Sequence, residues 1–273
     1  MGGQKSVVVM GALNVSPESF HAGSVYRDRG TLVDAALEMV EAGASIIDVG
    51  ARSTAPYLET EISDEEECRR LSAAVEAIVG KVAVPVSADT TRPEPARAAL
   101  ESGARILNDV HGLRDREVAR LAAEHDVGLI LMAFPDSDGR GAQPPVGRVR
   151  TLLAACLDRA RAAGVADERV VLDPGIGFFR DEAVAWDVHD VDVLARLREL
   201  RDVGRPLCVG VSRKSFVGAI TDRPATADRL AGSLAATAAA VLNGAALIRT
   251  HDVRDTVDAV RVAERIARVA RDG

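Results

Sequence analysis

The sequence predicts a single (β/α)8 barrel over residues 1–273, and three observations carry that expectation. First, five short apolar runs each end in a polar residue. Ser45-Ile-Ile precedes Asp48, Pro85-Val-Ser-Ala precedes Asp89, and Ile106-Leu precedes Asn108; Val170-Val-Leu precedes Asp173, and Ala246-Leu-Ile precedes Arg249. A buried strand has no solvation reason to finish on a charge. Five such endings, each followed by a loop and a helical pattern, point to strand ends that converge on one site, as at the C-terminal face of a (β/α)8 barrel. Second, three of these strands are reached through a glycine after a helical stretch: Glu41-Ala-Gly43-Ala, Glu101-Ser-Gly103-Ala and Leu242-Asn-Gly244-Ala. Glycine there supplies the left-handed residue that ends a helix. Third, 273 residues fit the roughly 250 that such a barrel takes, and no linker divides the chain.

Eight strand-helix units follow in order from periodicity and punctuation. The first strand covers about 6–13, and a long loop leads to a helix near 30–42. The second strand is 45–49 with a helix at 64–80. The third is 84–89, and its helix runs from Pro93 to Ser102. The fourth is 105–108 with a helix at 115–125, and the fifth 127–132 with a helix at 146–163. The sixth strand is 169–173 with a helix at 189–203. The seventh, 206–211, precedes a short helix at 213–220 and a longer one at 226–243. The eighth is 245–250, closed by a helix at 253–271. The long irregular stretches, 14–30, 50–63, 133–146 and 174–188, all follow strands and so fall on the expected active face. Long loops in a compact domain are usually functional or mobile.

Composition bounds the function. The chain is 47% apolar and 27% charged with only 3% aromatics, so Val, Leu, Ile and Ala must build the core of a soluble globular protein. A net charge of −7 argues against a nucleic-acid surface. Cys68, Cys156 and Cys208 form neither a metal-ligand nor a disulfide pattern and read as reduced, inert thiols. The N-terminus runs straight into an apolar strand with no signal-peptide pattern, and no run approaches the roughly 20 residues of a membrane span. A cytoplasmic protein without nucleic-acid or membrane partners is expected.

Four loops carry candidate chemistry. Asn14-Val-Ser-Pro-Glu-Ser-Phe20 is either turn chemistry or an oxygen ligand for a hard cation such as Mg²⁺. In Asp173-Pro-Gly-Ile-Gly-Phe178 the glycines form a plain turn or admit backbone to a planar ligand on which Phe178 stacks. Ser212-Arg213-Lys214-Ser-Phe216 is a helix start or a site for an anion or ring carbonyl, and two cations there run against the helix dipole. Arg249-Thr-His251-Asp252 offers a planar fork for phosphate, and His251 is either hydrogen-bonded structure or part of that site. Asp48, Asp89, Asn108 and Asp173 together could accept the paired N–H donors of a guanidine-like heterocycle edge. A metal is the alternative, disfavoured by the lack of clustered histidines.

Taken in order, these segments resemble dihydropteroate synthases, a family of pterin-binding enzymes. The matching stretches are Met10-Gly-Ala-Leu-Asn-Val-Ser-Pro-Glu-Ser-Phe20, Ile46-Ile-Asp-Val-Gly50, Ser53-Thr54, Val86-Ser-Ala-Asp-Thr90, Ile106-Leu-Asn-Asp109, Leu172 to Phe178, Val209 to Phe216, Arg229 to Ala235 and Ile248 to Asp252. The resemblance implies a pterin pocket of Asp48, Asp89, Asn108, Met132, Asp173 and Lys214, with Asp89 and Lys214 closest to catalysis. It implies a pyrophosphate site of Asn14, Arg249 and His251, with Asn14 on Mg²⁺. It places Arg52, Thr54, Pro56, Phe178 and Ser212 around an arylamine. The implied reaction joins 6-hydroxymethyl-7,8-dihydropterin diphosphate to the arylamine and releases pyrophosphate; the implied assembly is a homodimer.

Two departures bear on the second substrate. After the second strand the family usually reads Gly-Glu-Ser-Thr-Arg-Pro-Gly, where this chain has Ala51-Arg52-Ser-Thr-Ala55-Pro-Tyr57; after the fifth, a Met-His-Met run is replaced by Met132-Ala-Phe134. This loop resembles synthases of methanopterin-type pathways, whose acceptor is a ribosylated aminobenzene phosphate in place of p-aminobenzoate. The competing readings are a pterin-binding methyltransferase domain, which would have little use for the Lys214 and Arg249/His251 groups, and a non-catalytic pterin-binding paralogue.

Overall fold

Side chains alternate across each strand, and that alternation sorts this chain into two apolar clusters. Val9, Leu13, Ile47, Val49, Val86, Ala88, Leu107, Leu129, Leu131, Leu172, Val209 and Ile248 pack outward against helices. Met10, Ile130, Cys208 and Leu247 form a separate inner cluster, with Val8, Ile46, Ile106 and Val171 against it. The computed structural model describes residues 6–16, 28–52, 62–135, 143–180 and 184–272. Its strands are β1 (Val8–Asn14), β2 (Ile46–Gly50), β3 (Val86–Asp89), β4 (Ile106–Asp109), β5 (Gly128–Met132), β6 (Val170–Asp173), β7 (Cys208–Gly210) and β8 (Leu247–Thr250). Its helices are α1 (Arg29–Glu41), α2 (Asp64–Ile78), α3 (Pro93–Glu101), α4 (Arg116–Glu124), α5 (Pro145–Ala162), α6 (Trp186–Ala195), α7 (Ser215–Thr221), α8 (Leu230–Leu242) and α9 (Val253–Asp272).

The strands form one parallel sheet in the order β6-β5-β4-β3-β2-β1-β8-β7. A bridge between Leu172 and Leu207 and a 2.9 Å bond from the Leu172 N–H to the Pro206 carbonyl join the outer strands and close it. This is the (β/α)8 barrel expected. Gly43, Gly103 and Gly244 hold φ of +110°, +108° and +102°, so each ends its helix as read from the sequence. Side chains of Asp28, Ser63 and Asp115 cap α1, α2 and α4 by accepting backbone N–H bonds, which satisfies donors that a helix start leaves open.

Several elements differ in extent. The first strand begins at Val8 and runs one residue further, to Asn14; the third begins at Val86 rather than at 84; and the helix expected over 226–243 opens as a 3₁₀ turn, Thr226–Arg229, before Leu230–Leu242. The seventh is shorter than expected, because Pro206 has no N–H to donate to a ladder and only 208–210 form the strand. The helix expected over 189–203 begins at Trp186 and gives way to a 3₁₀ turn, Leu197–Val203. The tighter winding places residues three apart on one side, and Leu197 and Leu200 are both fully buried.

Candidate active site

The inward register of each strand continues past the inner apolar layer into polar residues. Asn14 pairs with Gly50, Gly50 with Asp89, and Asp89 with Asn108 across β1 to β4. Met132 lies beside Asp173, and Gly210 beside Arg249. The same period-two alternation that fills the barrel thus rings its C-terminal mouth with the candidate residues.

Arg249 is the hub. Its Nε donates to Asp48 Oδ2 at 2.7 Å and an Nη to Asp89 Oδ2 at 3.1 Å; Asn108 Nδ2 also donates to Asp48 Oδ2, at 3.2 Å. One cation faces two buried carboxylates. Burial and the charge of Asp48 raise the Asp89 carboxyl above its ordinary range, and Arg249 only partly offsets them. Burial works against the Arg249 charge too, but the two carboxylates hold it firmly ionised. Asp48 Oδ1, Asp89 Oδ1 and Ser87 Oγ are buried and lack any hydrogen-bond partner among the described residues. Unpaired buried acceptors are costly, and here they aim from β2 and β3 toward the same mouth.

The opposite wall comes from β6 and β7. Asp173 Oδ1 accepts the Gly175 N–H at 2.7 Å; burial raises its carboxyl, with Lys214 opposing. The Lys214 ammonium donates to the Ile176 carbonyl and sits 5.1 Å from the centre of the Phe178 ring. Burial lowers its pKa, while Asp173 and Asp190 push back. A Cβ placed on Gly210 would lie 3.7 Å from Arg249 Cβ and 3.9 Å from Lys214 Nζ, so this glycine leaves room for the Arg249 stem and the Lys214 ammonium. Ser212 Oγ lies 3.1 Å from His251 Nδ1, which joins the loops after β7 and β8. Arg213, at φ +54°, forks onto Asp252 at 2.9 and 2.7 Å, which ties the two turns together.

Asn14, Asp48, Asp89, Asn108, Met132, Asp173, Phe178, Lys214, Ser212, Arg249 and His251 therefore stand at one end of the barrel. Thr54 and Pro56, with the rest of 53–61, lie outside the described residues, as do 17–20 of the first motif. Arg52 pairs outside the hub, although its charge acts on Asp89. Its Nε lies 3.3 Å from Glu67 Oε2, which also receives Arg92 at 3.2 Å. Glu67 itself is 1% exposed and accepts the Thr90 hydroxyl at 2.6 Å. Burial and the positive field of Arg52, Arg114 and Arg92 lower the pKa of nearby His111. Glu67, from the middle of an acidic helix start, carries no sequence signal for this role. Ser87 does carry one: two residues before Asp89 in a strand, it must share its face.

Fold and donor set define the class first: a (β/α)8-barrel enzyme whose mouth fits a planar, N–H-rich ring with an anionic arm. Residues 10–251 match the family model described as pterin binding enzyme. The dihydropteroate synthase of Synechocystis sp. is 37% identical over 270 residues, covering 97% of this chain and 91% of its own. That of Escherichia coli K12 is 38% identical over 261 residues, 94% and 90% of the two chains. The structure of Xanthomonas albilineans dihydropteroate synthase with 4-aminobenzoic acid superposes with a TM-score of 0.86 at 36% identity, over 96% of this chain and 93% of that one. The chain belongs to the dihydropteroate synthase family of pterin-binding enzymes.

Proposed function

We propose that this protein is a transferase that joins 6-hydroxymethyl-7,8-dihydropterin diphosphate to an arylamine. The arylamine nitrogen forms a bond to the exocyclic methylene as the bond from that carbon to the diphosphate oxygen breaks. The carrying observation is the set of orphaned buried acceptors, Asp48 Oδ1 and Asp89 Oδ1, which a pterin's ring N–H donors would satisfy. Asp173 and Lys214 hold the opposite ring edge, the carboxylate by accepting and the ammonium by donating. Positive charge that develops at the methylene is stabilised by the buried carboxyl oxygens of Asp48 and Asp89, which face the same mouth. The amine is already nucleophilic, so no strong base is required, and the proton left on the new bond passes to the departing pyrophosphate or to water. His251 and Arg249 lie on the β8 side, where departing pyrophosphate would meet them.

A magnesium ion fits this reading. Asn14 offers a hard oxygen near Asp89, the Asn14 Oδ1 and Asp89 Oδ2 lying 3.4 and 3.8 Å from a Cβ position on Gly50. Among the described residues no three His, Cys, Asp or Glu side chains form a metal cluster. Asn14 would hold the ion together with substrate oxygens and water, as Mg²⁺ commonly requires; the ion would neutralise leaving-group charge.

For the arylamine, p-aminobenzoate is the first reading, supported by the relatives. A phosphate-bearing acceptor is the second, suggested by the loop after β2, where Arg52 and Ala55 stand in place of the family's usual Glu and Arg. We also infer a homodimer: Val262, Ile266 and Val269 form an exposed apolar stripe on α9 that a second copy would cover, and a monomer in sedimentation velocity would rule this out. The decisive assay is pyrophosphate release from the pterin diphosphate with a panel of arylamines. Release that depends on an arylamine is expected; pterin binding without release for any acceptor would leave a non-catalytic paralogue.

A further inference from the structure

Behind the turn that follows β6 lies a buried polar cluster that no step above uses. α6 brings His189 and Asp190 there, 2% and 1% exposed. Asp190 Oδ1 accepts the Gly177 N–H at 2.8 Å, and its Oδ2 has no hydrogen-bond partner among the described residues. The adjacent carbonyl, Ile176, is the one that receives the Lys214 ammonium. Gly177 holds φ +86°, and a Cβ there would stand 3.0 Å from Lys214 Cδ. The turn pinned by Asp190 is therefore the wall along which Lys214 extends.

His189 does not neutralise Asp190. Its Nδ1 lies 4.0 Å from Asp190 Oδ1, but neither ring nitrogen has a hydrogen-bond partner among the described residues, the ring stacks on Phe179 with centroids 4.4 Å apart, and burial, helped by Arg148 and opposed by Asp192, brings its pKa down to about 4, so it is neutral above that. Burial raises the Asp190 carboxyl to about 6, so it is ionised above that, with the Gly177 N–H and the Lys214 and Arg180 charges opposing and Asp187 adding to the rise. Arg180 is engaged elsewhere, on the Gly177 carbonyl, the Ser215 hydroxyl and the Trp186 ring. Lys214 in turn is faced by Asp173 and Asp190, with Arg249 and the Cys208 thiol beyond them.

We propose that Asp190 is a positioning residue for Lys214: it pins the 174–178 turn through Gly177 and supplies a second buried negative charge, beside Asp173, that keeps the ammonium in place for the pterin ring. The proposal rests on the pterin reading above. The test is calorimetric titration of 6-hydroxymethyl-7,8-dihydropterin into wild type, Asp190→Leu and Asp190→Asn between about pH 7 and 10, spanning the lysine range. Asp190→Leu loses both anchor and charge and should bind at least about tenfold more weakly. Asp190→Asn keeps an acceptor for Gly177 but not the charge. It should bind well at neutral pH, yet lose binding on the alkaline side about half a pH unit or more earlier than wild type, because the ammonium loses a stabilising anion. A merely structural aspartate would not move that limb. Wild-type affinity in folded Asp190→Leu overturns the proposal, and so does an unshifted alkaline limb in Asp190→Asn, which still decides the matter if the leucine variant does not fold. Absence of pterin binding by wild type would instead remove the functional reading itself.

Discussion

At the scale of single residues, the decisive arrangement is two carboxylates on one guanidinium. Because Asp48 and burial raise the Asp89 carboxyl, Asp89 protonates before ordinary carboxylates as pH falls, and the ring N–H donors then lose a charged acceptor. Pterin affinity should decline toward acid pH in wild type, while Asp89→Asn should bind about 10–100-fold more weakly at pH 7, the effect of one charged hydrogen bond, with a flatter acid profile. Its melting temperature should be unchanged or higher, since the substitution removes a like-charge contact; equal pterin affinity by calorimetry would refute the role. Arg52 carries a second prediction. Its Nε already lies against Glu67, so any help to an anionic acceptor comes through field and its remaining N–H groups. On the second reading of the acceptor, a phosphate-bearing arylamine shows a higher kcat/KM than p-aminobenzoate, and Arg52→Ala should lower that preference about fivefold or more, on the scale of one partly screened charge. A preference for p-aminobenzoate with Arg52→Ala inert would end the idea. Sequence reading found Asp48, Asp89 and Arg249 because strand endings are local signals. It could not find that Arg249 serves both carboxylates, since those contacts span 201 and 160 residues.

At the scale of elements, the turn after β6 links fold to site. Gly175 holds φ +74°, and a Cβ there would come within 2.5 Å of the Ala133 carbonyl and 3.2 Å of Phe179. Backbone cannot yield as a flexible side chain does, so Gly175→Ala should cost about 1–3 kcal/mol and displace the turn that carries Asp173 and the Lys214 contact. Differential scanning calorimetry and pterin titration should both report it, and a loss of stability with intact binding would separate the turn from the site. The glycine spacing was legible because turns demand positive φ. The anchoring of this turn by α6 was not, because an Asp among the alternating Asp and Val of that helix looks like a solvated position.

At the scale of the whole molecule, buried His189 sets an acid limit. Its pKa in the fold is about 4, against roughly 6.5 in an unfolded chain. Below the unfolded value, unfolding takes up a proton that the fold refuses, so this contribution is full above about pH 6.5 and falls as pH drops toward 4, while Asp89, Asp109 and Asp190, whose carboxyls burial raises, act in the opposite sense. The effect reaches about 3 kcal/mol at most, from 1.36 kcal/mol per unit. A His189→Phe variant should therefore gain on wild type in melting temperature as pH falls from about 6.5 to 4; parallel pH curves for the two proteins would contradict the assignment.

The sequence by itself determined the barrel, the face that carries the site and the family. Strand parity, helix-ending glycines and ordered motifs are each written in a few consecutive residues and do not depend on closure. Only the tertiary structure decided the partnerships: Arg249 on two carboxylates, Arg52 on Glu67, Asp190 on Gly177. Each joins side chains from different strands and helices, and their pairing depends on which elements the closed barrel sets side by side and how far each side chain reaches once water is excluded.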